Sequence, residues 1–215
     1  MKYALCLTGQ IRSHNLVCES VKKNFLDLYD MDIFCHIWHK NDHSPQKSFY
    51  SGIVHSQYHT EKIHKVIDFY KPLSFKYEEP YIPENPKSMM CSFMKSNNLK
   101  REYEENNGIK YDVVIKSRFD IFFSRPFVIE DVEDKTIYLI NRPGGCGGYN
   151  DWVCYGNSET MNTYMETFET YKDTDRIRQK CPEGIFKQHL DNNGISVKYI
   201  DRVFSIMRED GNLVG

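Results

Sequence analysis

The first residues that could do chemistry follow a short apolar run near the start of the chain. Residues 3–8 lead into a glycine turn, and an arginine comes shortly after it. Such a turn between a strand and a helix presents backbone N–H groups to an anion, and an arginine adds a bidentate donor. The turn could therefore bind the phosphates of a nucleotide through Thr8, Gly9, Gln10 and Arg12. An ordinary tight turn with a surface arginine explains the same residues.

A second polar group follows the apolar run at 111–116. Arg118 and Asp120 stand two residues apart just after that run, so they would share one face of a strand. An aspartate in this place can hold Mg²⁺ or Mn²⁺ while the ion also binds phosphate oxygens. Arg118 and Asp120 would then either pair with each other or bind a diphosphate together, Arg118 through its guanidinium group and Asp120 through the metal ion.

Two later carboxylates are candidates for a general base that deprotonates an acceptor hydroxyl. Asp151 follows the glycine-rich segment 144–148, which suits a mobile turn or a close backbone approach. Glu183 stands after Pro182 at the start of a predicted helix. Each has a structural alternative, because Asp151 could cap a turn and Glu183 could complement the helix dipole.

Two histidines and a tryptophan could either pack in the core or bind a ligand. His189 is either a hydrogen-bonded core histidine or a metal ligand that joins Asp120. His36 and Trp38 share a strand face, where a buried histidine beside a packed tryptophan is favoured over a platform for a sugar ring. A further apolar stripe is assigned to the core and consists of Met89, Met90, Phe93 and Met94.

These residues need an alternation of strands and helices to position them. Residues 3–8 and 32–38 are predicted as parallel strands, joined by a helix that Ser13 caps and that extends to Leu28. In open α/β sheets ligands bind at the carboxyl ends of strands, where both the first and the second polar group fall. Further helices are predicted at 61–70, 88–106, from Ser158 and from Pro182, and further strands at 73–77, 111–116, 136–140 and 196–200. A long loop is expected at 39–60 and a loose tail at 210–215.

Composition narrows the class of protein. The chain has 215 residues, 40% of them hydrophobic, which fits one globular domain over 1–215, possibly followed by others in a longer enzyme. A net charge of −2 does not favour nucleic acid as a partner, and the basic pairs Lys22-Lys23 and Lys100-Arg101 are expected on solvated helix faces.

The cysteines and the hydropathy bear on the compartment. Seven scattered cysteines without a CxxC pair predict neither a disulfide framework nor a zinc site. No run approaches about 18 apolar residues, so no membrane span is expected. Together these features predict a cytoplasmic, reducing environment.

Five segments in this order resemble the small GT-A-type glycosyltransferases of viral and bacterial polysaccharide synthesis. The resemblance covers about residues 4–190 and implies an α/β, GT-A-like (Rossmann-like) fold with a mixed, mostly parallel sheet flanked by helices. The segments that carry it are Ala4–Arg12 (ALCLTGQIR), Asp32–Trp38 (DIFCHIW), Tyr111–Asp120 (YDVVIKSRFD), Asn150–Gly156 (NDWVCYG) and Pro182–Phe186 (PEGIF).

The resemblance also implies an activity. A nucleotide-diphosphate sugar, with a uridine diphosphate sugar favoured, would bind at the first turn and donate its sugar to a hydroxyl of a glycan or glycoconjugate, with inversion favoured. Mn²⁺ or Mg²⁺ would sit at the DxD-like position, where Arg118-Phe119-Asp120 supplies one carboxylate instead of two. The alternative is a non-catalytic nucleotide- or carbohydrate-binding module. A phosphate-ester hydrolase is disfavoured because no two-metal carboxylate cluster is evident.

Overall fold

A computed structural model of the chain describes most of its residues. The described ranges are 1–38, 60–78, 85–141, 144, 147–173 and 182–214. The loop expected at 39–60 therefore falls outside the described residues, apart from residue 60, which begins a helix.

Strands and helices alternate over the first part of the chain, as the sequence predicted. The strands are β1 Tyr3–Gly9, β2 Met31–Trp38, β3 Ser74–Glu78, β4 Val113–Arg118, β5 Ile121–Phe123, β6 Thr136–Ile140, β7 Cys154–Gly156, β8 Ser196–Ile200, β9 Phe204–Met207 and β10 Leu213–Val214. The helices are α1 His14–Asn24, α2 Thr60–Tyr70, α3 Asn85–Asn107, α4 Ser158–Met165, α5 Thr167–Tyr171 and α6 Pro182–Asn192. The alternation runs from β1 to β4, whereas β4 to β7 and β8 to β10 follow one another without an α-helix between them among the described residues. Within the described ranges, none of these helices is both long and apolar enough to cross a membrane.

A seven-stranded sheet forms the centre of the fold, with the strand order β3-β2-β1-β4-β7-β6-β8. β1 is parallel to both of its neighbours, and Thr8 lies opposite His36 on one side and Arg118 on the other. β7 runs antiparallel to β4 and β6, whereas β8 is parallel to β6. The predicted fold class, a mixed and mostly parallel sheet flanked by helices, is confirmed.

The two faces of the sheet carry separate hydrophobic cores. Leu5 and Leu7 of β1 pack with residues of α1 and α2, whereas Ala4 and Cys6 pack with residues of α3, α4 and α6. This alternation follows from the period of two along a strand. Because both faces are covered, β1 is apolar throughout, which is why its sequence reads as a continuous hydrophobic run.

A second, three-stranded sheet, in the order β10-β9-β5, corrects the expectation of a loose tail. β9 pairs antiparallel with β5, and β10 folds back on β9 through a turn at Gly211, which has a positive φ of 83°. Phe204 and Ile206 are buried in the core shared with α1. The polar residues at 208–212 are the hairpin turn, and their composition by itself did not reveal the two short strands that flank it.

The predicted helix caps need correction as well. Ser13 does not cap α1, because its hydroxyl donates to the carbonyl of Met207 at 2.5 Å. The cap of α4 is Asn157 rather than Ser158, since the Asn157 side chain accepts a hydrogen bond from the N–H of Thr160 at 2.8 Å. α1 also ends at Asn24, and the predicted extension to Leu28 is a separate 3₁₀ turn.

Lys100 contradicts the expectation that both basic pairs lie on solvated faces. Its side chain on α3 is fully buried and donates to Ser158 Oγ at 2.6 Å and Asn162 Oδ1 at 2.8 Å. It also forms an ion pair with Glu104, one turn along α3, at 3.0 Å. The polar partners on α4 make this burial possible, and they are far from Lys100 in sequence.

The described cysteines are all free thiols, as expected from their spacing. They are Cys6, Cys18, Cys35, Cys91 and Cys154. Burial raises the pKa of the Cys6 thiol to about 11, so this group is neutral at ordinary pH.

Candidate functional site

The strand order reverses direction between β1 and β4. From β1 the chain proceeds to β2 and β3 on one side, and β4 then joins β1 on the other side. Helices on opposite faces leave a crevice at such a point, at the carboxyl ends of the two strands. Thr8 Oγ1 donates to the carbonyl of Ser117 at 3.4 Å across this junction. The first and second polar groups of the sequence thus lie side by side.

The turn after β1 has an unusual backbone. Gly9 has a φ of 98°, which a glycine adopts without steric cost, and Arg12 has a φ of 26°, which is uncommon for a residue with a Cβ. Arg12 lies just before the start of α1. Its Nε donates to Gln10 Oε1 at 2.8 Å, and its Nη1 lies 3.9 Å from Asp120 Oδ2. The turn therefore directs Arg12 toward the end of β4.

Arg118 and Asp120 form a bidentate ion pair at the end of β4. The Nε of Arg118 donates to Oδ1 of Asp120 at 2.8 Å, and its Nη2 donates to Oδ2 at 2.7 Å. The Asp120 side chain is 1% exposed, and that of Arg118 is 21% exposed. Burial alone would raise the pKa of Asp120, but Arg118 outweighs it, and Arg12 and Arg208 add to the effect, so this pKa lies below its usual value. The ion pair, one of the two alternatives drawn from the sequence, is present.

Arg208 is a member of this cluster that the sequence did not reveal. It follows β9, and the N–H of Met207 donates to the carbonyl of Asp120 at 2.8 Å. The carbonyl of Met207 accepts from Ser13, so the end of β9 is fixed between the β1 turn and the β4 turn. No local motif marks Arg208; the pairing of β9 with β5 brings it to the site.

The residues around Asp120 do not fit the predicted divalent cation. Mg²⁺ and Mn²⁺ need several oxygen or nitrogen ligands, whereas both oxygens of Asp120 are hydrogen-bonded to Arg118. The described ranges contain no group of three histidine, cysteine, aspartate or glutamate side chains arranged to hold a metal ion. The guanidinium groups here supply positive charge where the cation was expected.

Asp151 lies next to this cluster. It is buried, and its carbonyl accepts a short hydrogen bond from Nζ of Lys116, two residues before Arg118 on β4. That ammonium group also sits 3.8 Å from the centre of the Phe93 ring. Burial lowers the pKa of Lys116 to about 8, although the negative charge of Asp151 opposes the shift. In the adjoining turn, Asn150 Oδ1 accepts a hydrogen bond from the N–H of Trp152 at 3.0 Å.

Glu183 lies in the first turn of α6, close to the glycine-rich segment. Its carbonyl accepts from the N–H of Tyr149 at 3.2 Å. A Cβ added to Gly148 would lie 2.0 Å from the carbonyl carbon of Glu183, so only glycine permits this approach. Both Asp151 and Glu183 help to raise the pKa of Tyr164, behind burial and Cys154 as causes. The charge of Asp151 also acts on Arg118, which places this carboxylate near the arginines.

His189 lies apart from the arginine cluster. Its Nε2 is 2.8 Å from the carbonyl of Thr163 on α4, and its ring packs edge-on against Tyr171. Burial lowers its pKa, which favours the neutral ring. These contacts correspond to the interior interpretation, and the described residues contain no group of three possible metal ligands that would include His189.

His36 and Trp38 are buried near the carboxyl end of β2. His36 Nδ1 lies 2.8 Å from Ser92 Oγ and its Nε2 lies 3.2 Å from Glu78 Oε1. Trp38 Nε1 donates to the carbonyl of Ser88 at 3.1 Å. Burial, with smaller contributions from nearby lysines, lowers the pKa of His36 to about 3, so the ring is neutral. The favoured interpretation, a packed histidine beside a packed tryptophan, agrees with these contacts.

An open cleft of about 350 Å³ lies at the opposite, amino-terminal edge of the sheet. It is lined by the start of β4 and by residues around Asp134 and Glu159. Ligands of this fold class bind at the other edge, and the arginine cluster lies there too. The size of the cleft therefore does not make it the candidate site.

The fold and site define an α/β protein with a Rossmann-like sheet and an arginine cluster at its carboxyl edge. No family model matches the chain, and no curated protein matches it. Among solved structures, the chain is similar to the nucleoside-diphosphate-sugar pyrophosphorylase from Vibrio cholerae RC9, with 12% identity over 95% of this chain and 94% of that chain and a TM-score of 0.49. A likeness this distant does not indicate a shared activity.

Proposed function

We propose that this chain is a glycosyltransferase that moves a sugar from a nucleotide-diphosphate donor to a hydroxyl of a glycan or glycoconjugate. The observation that carries the proposal is the meeting of Arg12, Arg118 and Asp120 at the switch between β1 and β4. Open α/β sheets bind ligands in this crevice, and guanidinium groups suit the oxygens of a diphosphate. A uridine diphosphate sugar is the donor that we would test first.

The chemistry assigned to the site needs two kinds of group. When the bond between the anomeric carbon and the diphosphate oxygen breaks, negative charge grows on that oxygen, and preorganised arginines stabilise it. The acceptor oxygen forms the new bond to the anomeric carbon and gives its proton to a carboxylate, for which Asp151 and Glu183 are the candidates. A single displacement of this kind inverts the anomeric configuration.

A non-catalytic nucleotide- or carbohydrate-binding module is the second candidate. The observation that favours it is the bidentate pair, because Arg118 stands where a metal-dependent transferase would present a second carboxylate. Release of free nucleotide from a panel of donor sugars, with and without acceptors, distinguishes the two. Turnover supports the transferase, whereas tight binding without hydrolysis or transfer supports the module.

The assignment of the base predicts the behaviour of two variants. We expect Asp151→Asn or Glu183→Gln to lower kcat by about 10²–10⁴-fold with much less change in donor affinity, because a general base acts on the chemical step. Glu159→Gln is the matched control, since Glu159 is exposed at the amino edge of the sheet. Steady-state rates and donor titrations check this. Rates equal to the parent in both variants would place the base elsewhere.

A further inference from the structure

Asp120 is enclosed by cations and by backbone and does not face the crevice alone. Arg118 donates hydrogen bonds to both carboxylate oxygens of Asp120, and Arg12 Nη1 lies 3.9 Å from one of them. The positive charge of Arg208, which follows β9, also favours the ionised carboxylate. The backbone carbonyl of Asp120 accepts from Met207. A buried carboxylate with these partners neutralises the guanidinium groups while no ligand is bound, because an unpaired buried charge is costly.

Three chain segments far apart in sequence supply these arginines. Arg12 comes from the turn after β1, Arg118 from the end of β4 and Arg208 from the end of β9. The hydrogen bond from Ser13 to Met207 links the first segment to the third. The negative charge of Asp151 also favours the ionised form of Arg118. The segments that carry the three arginines are therefore joined to one another by hydrogen bonds.

We infer that this site binds the diphosphate of its donor without a divalent cation, with Arg12, Arg118 and Arg208 as its ligands and Asp120 as the counter-ion that they hold in the absence of the ligand. The inference deepens the proposed function and rests on it for the identity of the donor. Guanidinium groups pair with phosphate oxygens through charge-assisted hydrogen bonds and remain ionised at any ordinary pH. The three arginines thus supply the positive charge that a metal would otherwise bring.

The inference predicts an effect of Asp120 opposite in sign to that of a metal ligand. If Asp120 held a cation on the diphosphate, its removal would weaken nucleotide binding. If Asp120 is a counter-ion, it competes with phosphate for Arg118, and Asp120→Asn binds the diphosphate at least as tightly as the parent. The neutral amide keeps nearly the same shape, so the comparison isolates the charge.

Calorimetric titration of the whole chain with uridine diphosphate, in EDTA and then in Mn²⁺, tests the inference. We expect binding in EDTA within about threefold of that in Mn²⁺, and a loss of about tenfold or more in Arg208→Ala, the loss of one charge-assisted hydrogen bond. Arg125→Ala is the matched control, because Arg125 is exposed and paired with Asp201. Circular dichroism verifies the fold of each variant.

These titrations distinguish a metal-independent arginine site from a site that needs a divalent cation. Binding only with Mn²⁺, a loss of affinity in folded Asp120→Asn, or an unchanged affinity in Arg208→Ala would overturn the inference. Should Asp120→Asn not fold, the EDTA comparison and the Arg208 variant still decide it. Metal-independent binding without any sugar transfer would uphold the arginine site and refute the transferase. Sugar transfer that requires Mn²⁺ would uphold the transferase and refute the arginine site.

Discussion

At the scale of single residues, the surroundings of Asp120 decide whether it can bind a metal ion or pairs with arginine. An aspartate after a buried strand suggests a metal ligand when only the neighbouring sequence is considered. In the fold it is 1% exposed and bound at both oxygens by Arg118. The carboxylate is held ionised by those arginines, so its contribution to stability depends on pH.

We expect Asp120→Asn to lower the free energy of unfolding by about 3–5 kcal/mol at neutral pH, because it leaves buried guanidinium groups without their counter-ion. The folded-state pKa of Asp120 lies below its ordinary value of 3.8. Its stabilising effect is therefore complete above that value and is lost as the pH falls through the folded-state pKa. Urea unfolding of parent and variant across this range measures the difference. A difference that stays constant into acid would contradict the assignment.

At the scale of elements, helix α3 is attached to α4 by a buried polar cluster. Lys100 and Glu104 on α3 meet Ser158 and Asn162 on α4, and Glu104 also accepts the N–H of Tyr111 at the start of β4. The contacts between α3 and α4 join residues that are 54 to 62 positions apart, whereas Glu104 and Tyr111 are seven positions apart. The cluster fixes the helix that carries Phe93, which in turn contacts Lys116 beside the candidate base.

Replacing Lys100, the cation of this cluster, should destabilise the folded protein. We expect Lys100→Met to lower the free energy of unfolding by about 3–5 kcal/mol, since Glu104 would remain buried without its partner. Lys22→Met is the matched control, because Lys22 forms an exposed pair with Asp27 and should matter by about 0–1 kcal/mol. Denaturant titrations give both values. Equal effects of the two substitutions would show that Lys100 is not buried in solution.

At the scale of the whole molecule, the candidate site is the point where the two sheets meet. The seven-stranded sheet contributes the ends of β1 and β4, and the three-stranded sheet contributes the end of β9. A ligand that contacts all three segments would stabilise the molecule as a unit. Binding should therefore be visible in global unfolding.

We expect saturating uridine diphosphate, at about 100 times its Kd and with EDTA present, to add roughly 2.7 kcal/mol, which corresponds to a Tm rise of about 5–11 °C for a chain of this size. Scanning calorimetry measures the rise. Uridine, which lacks the diphosphate, serves as the control ligand and should give a much smaller shift. Equal shifts from the two ligands would mean that the arginines do not bind the phosphates.

The sequence by itself determined the order and type of most elements. Continuous apolar runs marked β1 and β4 as buried parallel strands, because both of their faces are covered, and helical spacing marked α3 and α6. It also placed the first two polar groups at the carboxyl edge of the sheet. The bidentate pair of Arg118 and Asp120 was one of two alternatives that their spacing allowed.

The tertiary structure decided which side chains meet. Arg208 joins the site only because β9 pairs with β5, and Lys100 is buried only because α4 offers it polar partners. His189 is engaged by a carbonyl of α4, which no local pattern could show. Local sequence reports periodicity and propensity over a few residues, whereas these contacts and the hydrogen bond from Ser13 to Met207 join residues that are 26 to 194 positions apart. The pairing of Asp120 with Arg118 could be foreseen from their spacing, but the approach of Arg12 and Arg208 is a property of the fold.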